Sequence, residues 1–493
     1  MKRLLLILLA LALSVTLYVP VSADNPIVQT IFTADPAPMV YDGVVYMYVG
    51  EDSIVDNGFY NMTAWYCYSS TDMVNWTDHG VMMRSEDFEW AEPGSAWAAQ
   101  CIERNGKFYL YTTVTDKNGG GRAIGVAVSD SPTGPFKDAL GEPLCGPHWL
   151  YIDPTVFIDD DGQAHLYFGN PKVYHVELNK DMISLKTPIE ELELTTEGFG
   201  SRPGGDADHQ TNYEEGPWVY KRDGIYYLVY AGCGVPENIC YSTAPTPTGP
   251  WTYGGVIMNN KNSTTIHPGI IDYKGKSYFF YHGGDLKGCS WNRRSVAVEE
   301  FKYKEDGSIP LTVQSLGIKA VDTLDPFKKT EAETICWSEG IKTAQNKDDG
   351  VYVTNIDMGD HIKLENVDFG DTGAAGFLAS VRARANGKIN VCVDNLFGDI
   401  VGTIEVKKSS DWQTLSTEIK NLTGVHDLYF VFVADSENAF DFNFWQFTRV
   451  GEEVAFTEPA SANTALIAIG AVAAVAIIVI TAALLIKRRH RSA

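Results

Sequence analysis

The feature that most constrains this chain is a short pattern that occurs five times. A turn glycine, usually after a polar residue, leads into an aromatic-rich alternating strand in YDGVVYMYVG, RNGKFYLYTT, DDGQAHLYFG, RDGIYYLVYA and YKGKSYFFYH. The glycines are Gly43, Gly106, Gly162, Gly224 and Gly275, separated by 63, 56, 62 and 51 residues. Asp-Gly or Asn-Gly between β-formers directs a tight hairpin, because those residues accept the backbone twist that the turn requires. Second turn motifs follow in SSTDMVNW, AVSDSPTGPF and STAPTPTGPW. Each unit therefore reads as a small antiparallel sheet, and residues 25–320 show no long helical periodicity. Five such units in succession predict a five-bladed β-propeller. The competing architecture is a β-sandwich whose hairpins are alike by coincidence.

The repeat also predicts a site. Eight or nine residues before each turn glycine stand Asp35, Trp97, Asp153, Glu215 and His267. On a propeller these positions belong to the innermost strands and face one another around the axis. Asp35 and Asp153 each precede a proline, which blocks helix and bends the strand entry. Asp-Pro is also a common turn starter, but chance would have to place three acids in one register. Converging carboxylates push their pKa values apart, so that one serves as acid and another as base. Glycoside hydrolysis needs such a pair. Metal binding is the rival use, although calcium wants more oxygen ligands and no EF-hand loop is present. Trp97, Trp218 and the tyrosine-rich strands offer rings for stacking on sugars, while most of the aromatics are core.

The two ends read as targeting segments. Lys2 and Arg3, the apolar run Leu4–Leu13 and Val21-Ser22-Ala23 make residues 1–23 a secretion signal. Residues 465–486 are 22 uncharged residues followed by the basic tail 487–493. That length suits a transmembrane helix, with the tail in the cytoplasm and everything upstream outside the cell. The formal net charge is −24, and six basic residues lie in the termini, so the body between them is more acidic still. Such a surface repels nucleic acid and anionic lipid and excludes a nucleic-acid function. Eight cysteines suit an exported chain but form no CxxC. Cys233 and Cys240 are close enough in sequence to pair. Asn61, Asn75, Asn262 and Asn421 begin Asn-x-Ser/Thr sequons.

Residues of about 25 to 320 resemble a family 43 glycoside hydrolase. The likeness is carried by ADPAP, GSAWAAQ, DPTVFIDDDG, EGPWVYKRDGIYYLVYA, TIHPGIIDYKG and RRSVAVEEFKYKEDGSI, which together span all five units. The resemblance implies an inverting hydrolase in which Asp35 is the general base and Glu215 the general acid. Asp153 would raise the pKa of Glu215 and orient it. Inversion implies a base-to-acid separation of roughly 6.5–9.5 Å. Arg294 aligns with the arginine of the sugar subsite. His267 aligns with a channel histidine that faces calcium or water in many relatives, and is otherwise a structural histidine. Relatives commonly have an acid where this chain has Gln100.

Residues 331–450 resemble a family 6 carbohydrate-binding module, a jelly-roll β-sandwich. The likeness is carried by EAETICWSEGIKT, GDHIKLENVDFG, VCVDNLFGDIVGTIEV, DWQTL, TGVHDLYFVFV and FNFWQF. It implies a sugar platform, for which Tyr352 is the candidate, and a structural calcium held by Glu331 and Glu333. Those two acids also read as solvated edge residues. Leu415 and Asp441 stand where relatives often have Trp and Asn.

The expected organisation is a signal (1–23), a propeller (24–325), a sandwich (326–450), a linker (451–464), a transmembrane helix (465–486) and a cytoplasmic tail (487–493). The fold class is all-β apart from that helix. The expected activity is an extracellular, membrane-anchored α-L-arabinofuranosidase acting on arabinoxylan. A β-xylosidase or arabinanase with the same chemistry, and a non-catalytic carbohydrate-binding protein, are the alternatives. No cofactor is expected for the chemistry. The expected partners are a polysaccharide or oligosaccharide and the membrane.

Overall fold

The computed structural model describes residues 25–53, 60–260 and 262–452. Residues 33–301 form five antiparallel sheets, each a meander. Their first strands are Thr33–Tyr41, Ala99–Arg104, Thr155–Ile158, Tyr213–Arg222 and Gly269–Tyr273. Each pairs with the next strand through one of the five expected hairpins. The first strands line a central cavity of about 440 Å³, to which Met39, Cys101, Val156, Trp218 and Ile270 contribute one side chain each. The ring is therefore a five-bladed propeller. Its ends meet through the N-terminal segment, where Ile27 N–H donates to Val296 O at 2.9 Å and Thr33 N–H to Arg294 O at 3.0 Å.

Residues 330–449 form a sandwich of two antiparallel sheets. Phe377, Phe430, Phe442, Trp445 and Phe447 fill the space between them, and buried residues alternate with half-buried ones along Leu428–Ala434.

The two domains share a sheet. The two-residue strand Thr334–Ile335 pairs with Thr77 and Trp76 as the fifth strand of the first blade. Asn75 clasps the sandwich beside it. Its side chain donates to Glu365 O at 2.8 Å and accepts from Glu365 N–H at 2.9 Å. The sequon at Asn75 is thus sealed within the junction, whereas Asn262 is exposed.

The expected transmembrane helix requires a correction. Among the described residues no helix is long and apolar enough to cross a membrane. The described α-helix is a single turn, Thr196–Phe199, of 4 residues, against the roughly 20 that a span needs. The described fold is all-β, and membrane attachment is not carried forward. Segments 1–23, 465–486 and 487–493, and all of the linker beyond residue 452, lie outside the described residues.

Candidate active site

Asp35 and Asp153 stand at the entries of their inner strands in the left-handed backbone region, with φ of 55° and 57°. That region is costly for a residue with a Cβ and persists where the surroundings enforce it. In the fourth blade the left-handed residue is Gly216, at φ 61°. A Cβ on Gly216 would meet the His267 ring at 3.0 Å, so only glycine fits there. Bulges interrupt the register after Ala34 and on both sides of Glu215. They re-aim side chains at the strand entry.

Asp35 is buried among cations and imidazoles. Its Oδ1 lies 3.4 Å from Arg294 Nη1, 3.3 Å from His282 Nδ1 and 3.8 Å from His267 Nδ1. Burial alone would raise this carboxyl. The Arg294 guanidinium outweighs it and holds Asp35 far below the usual carboxylate range. The Asp35 N–H donates to His282 Nδ1 at 3.1 Å, so that nitrogen carries no proton and the ring is neutral. Burial lowers the His282 pKa in agreement, and takes His267 down to about 4. Arg294 is fixed in turn by Asp52, through Nε at 2.9 Å and Nη2 at 2.8 Å. This fork is the bidentate geometry that suits a guanidinium.

The other two acids have the opposite character. Glu215 Oε2 accepts from Asn170 Nδ2 at 2.6 Å, and Asp153 Oδ2 accepts from the Gly216 N–H at 3.0 Å. Burial raises both carboxyls. Asp153 is pushed further by Glu215 and then Asp35, and Glu215 by Asp35. Arg122 moderates both and lies 4.8 Å from the Trp97 ring. Glu214 is ion-paired with Arg202. The cluster thus favours the ionised form of Asp35 and disfavours ionisation of the Asp153–Glu215 pair, the division that acid–base chemistry requires.

Asp35, Asp153, Glu215, His267 and Trp97 come together as the repeat register predicts, and Arg294 joins them as the resemblance implies. Trp218 does not and is corrected. It is buried in the core, its Nε1 donating to Ile270 O at 3.1 Å, because the bulge after Glu215 resets which face it takes. Tyr352 lies in the sandwich. Its ring is 5.7 Å from that of Trp412, and the Arg382 guanidinium covers both rings at 5.2 and 4.5 Å. Gln100 is a strut between inner strands, bonded to Val156 N–H at 2.8 Å and Val156 O at 3.3 Å. The count-back missed Asp52, Asn170 and His282. Counting forward seven to nine residues from Gly43, Gly162 and Gly275 reaches them, since the second strand of each hairpin returns to the same end.

The expected calcium ligands do not assemble. Around His267 the donors are two imidazoles, its own and that of His282, and a carboxylate already facing Arg294, unlike the oxygen shell that calcium takes. Glu331 turns to Lys329 at 2.9 Å. Glu333 is buried at the junction, in a small cavity shared with Asp78, and its Oε2 has no hydrogen-bond partner. Two carboxylates fall short of a calcium shell. Burial instead pushes Glu333 up to about 9 and Asp78 up to about 6, which accounts for a protonated Glu333. Among the described residues no group of three or more His, Cys, Asp or Glu side chains is placed to hold a metal ion.

Residues 23–309 match the model of glycosyl hydrolases family 43. The chain belongs to that family. Residues 331–449 match the family 6 carbohydrate binding module, so this family 43 glycoside hydrolase carries a C-terminal sugar-binding module. It is 32% identical to the arabinoxylan arabinofuranohydrolase of Bacillus subtilis, over 89% of this chain and 95% of that protein. A protein of the same description from Paenibacillus polymyxa is also 32% identical, over 86% of this chain and 74% of its own. The crystal structure of a B. subtilis arabinoxylan arabinofuranohydrolase with cellotetraose superposes with a TM-score of 0.74 at 29% identity, covering 86% of this chain and 97% of that one.

Proposed function

We propose that this protein removes α-L-arabinofuranosyl groups from arabinoxylan with inversion at the anomeric carbon. The observation that carries the chemistry is the opposite setting of two buried carboxyls, Asp35 against the Arg294 guanidinium and Glu215 against the Asn170 amide. Asp35, kept as a carboxylate by Arg294, takes a proton from water as the water oxygen attacks the anomeric carbon. Glu215, whose protonated form burial favours, gives its proton to the departing glycosidic oxygen. Asp153 orients Glu215 through Gly216 and favours its protonated form. Arg294 and Trp97 border the space where the sugar would sit.

The choice of substrate rests on the B. subtilis and P. polymyxa relatives, which match across both domains. The "Xylosidase/arabinosidase 43A" of Humicola insolens matches 58% of the chain and supports a second reading, β-xylosidase. The signal-like segment 1–23 supports export from the cytoplasm.

The test is to incubate the purified protein with wheat arabinoxylan, xylo-oligosaccharides and debranched arabinan, and to identify the released sugars by chromatography. Arabinose from arabinoxylan alone is expected. Xylose from the oligosaccharides would replace the substrate and keep the mechanism. No sugar from any of them would overturn both. Proton NMR of the first product is expected to show the anomer opposite to the substrate's.

A further inference from the structure

The hairpin that follows the Glu215 strand carries a pair of sulfurs. Cys233 directly follows the strand Ile225–Gly232, and Cys240 lies in the next strand, Asn238–Ala244. Their Sγ atoms are 3.4 Å apart. Cys233 is partly exposed and Cys240 is fully buried. Cys233 has a left-handed backbone, φ 69°, and its N–H donates to Asn212 O at 2.9 Å. Asn212 leads directly into Tyr213-Glu214-Glu215. The loop between the two cysteines carries Glu237, buried, whose Oε2 accepts the N–H of Ile266 at 3.0 Å. Ile266 immediately precedes His267. This one loop therefore touches the active site on two sides, behind Glu215 and behind His267.

We propose that Cys233 and Cys240 form a dithiol–disulfide pair, oxidised by exchange with a small disulfide such as glutathione disulfide, which fastens the Glu237 loop against the active site. The Cys233 thiolate attacks one sulfur of the small disulfide, expels one small thiolate and leaves a mixed disulfide. The Cys240 thiol then gives up its proton and displaces the second small thiolate from Cys233. Two protein thiols are oxidised, one small disulfide is reduced to two thiols, and the protons pass to those thiols. The order of attack follows from the surroundings. The Cys240 hydrogen bond and the Arg202 cation bring the Cys233 thiol down to about 7, so part of it is thiolate at neutral pH. The neighbouring sulfur and burial push Cys240 up, which makes it the second to react. A covalent bond of about 2.05 Å draws the sulfurs closer than they stand, and the partly exposed Cys233 has the room to move.

The experiment equilibrates the purified protein in glutathione buffers of graded oxidised-to-reduced ratio. Remaining thiols are alkylated and the peptides are mapped without reduction. A Cys233–Cys240 cross-link that titrates with the ratio is expected, absent in C233S and in C240S. Hydrogen exchange at residues 234–239 is expected to slow in the oxidised form of the wild type alone. If the buried C240S variant does not fold, C233S carries the same comparison. A glutathione adduct on Cys233 without the cross-link, or alkylation of both cysteines at the most oxidising ratio, overturns the pairing. Equal exchange in both redox forms overturns the fastening of the loop.

Discussion

Asp153 Oδ2 accepts the Gly216 N–H at 3.0 Å, so this carboxyl is tied to the backbone one residue beyond Glu215. Asn at position 153 keeps the acceptor and removes the charge. Asp153 and Glu215 disfavour each other's ionisation, so the pKa of Glu215 then falls. The high-pH limb of the kcat/KM profile is expected to move to lower pH, with kcat reduced on the order of tenfold or more. A limb that stays in place while the rate falls would limit Asp153 to positioning.

Glu215→Ala removes the proton donor. Hydrolysis of arabinoxylan is expected to slow by about 10²–10⁴-fold. Aryl arabinosides with good leaving groups need no proton and are expected to lose far less. Glu214→Ala, which breaks the pair with Arg202, is expected to show no such dependence on leaving group. Rates across an aryl series decide between the two.

Glu333 gives the fold a pH dependence of definite sign. Burial raises its pKa from the usual 4.5 to about 9. The folded state therefore holds this proton more tightly than the unfolded state does. The contribution is complete below about 4.5 and is lost as the pH rises to 9. Glu333→Gln cannot ionise, so the variant is expected to gain melting temperature relative to the wild type as the pH increases across that window. Thermal unfolding with a chelator present measures the difference. A wild type that calcium stabilises strongly at pH 8, and a Gln variant that it does not, would instead assign Glu333 to a metal.

Asn75→Ala leaves the Glu365 N–H and C=O without their partner at the domain junction. A cost of about 1–3 kcal/mol is expected for buried polar groups left unsatisfied. Differential scanning calorimetry is expected to show a lower transition, and limited proteolysis faster cutting near residue 330. In a glycosylating host, Asn262 is expected to accept a glycan and Asn75 to remain bare, by peptide mapping.

The hairpins were legible because an Asp-Gly turn is a local event, decided by two residues and the alternation beside them. Asp35 and Asp153 were legible for the same reason, each at a fixed distance from its turn. Trp218 was not, since the bulge between Glu215 and Trp218 breaks the alternation on which the count relied. Asp52 reaches Arg294 across 242 residues, and Asn170 reaches Glu215 across 45. Such pairings depend on ring closure, which no short window contains. The junction strand Thr334–Ile335 is only two residues long and leaves no periodic trace. The Arg382 cover over Tyr352 and Trp412 was equally hidden, because three separate strands supply it.

The strand that the sandwich lends to the first blade has a consequence for how such proteins are cut and recombined. A boundary drawn between the two family matches, anywhere from residue 310 to 330, takes Thr334–Ile335 away and leaves the outer margin of Trp76–Arg84 bare. An uncovered sheet margin recruits strands from other chains and promotes clumping. The catalytic half is therefore a poor cassette by itself. A graft that keeps it soluble retains the chain through Ile335, or blunts that margin with a charge at Thr77.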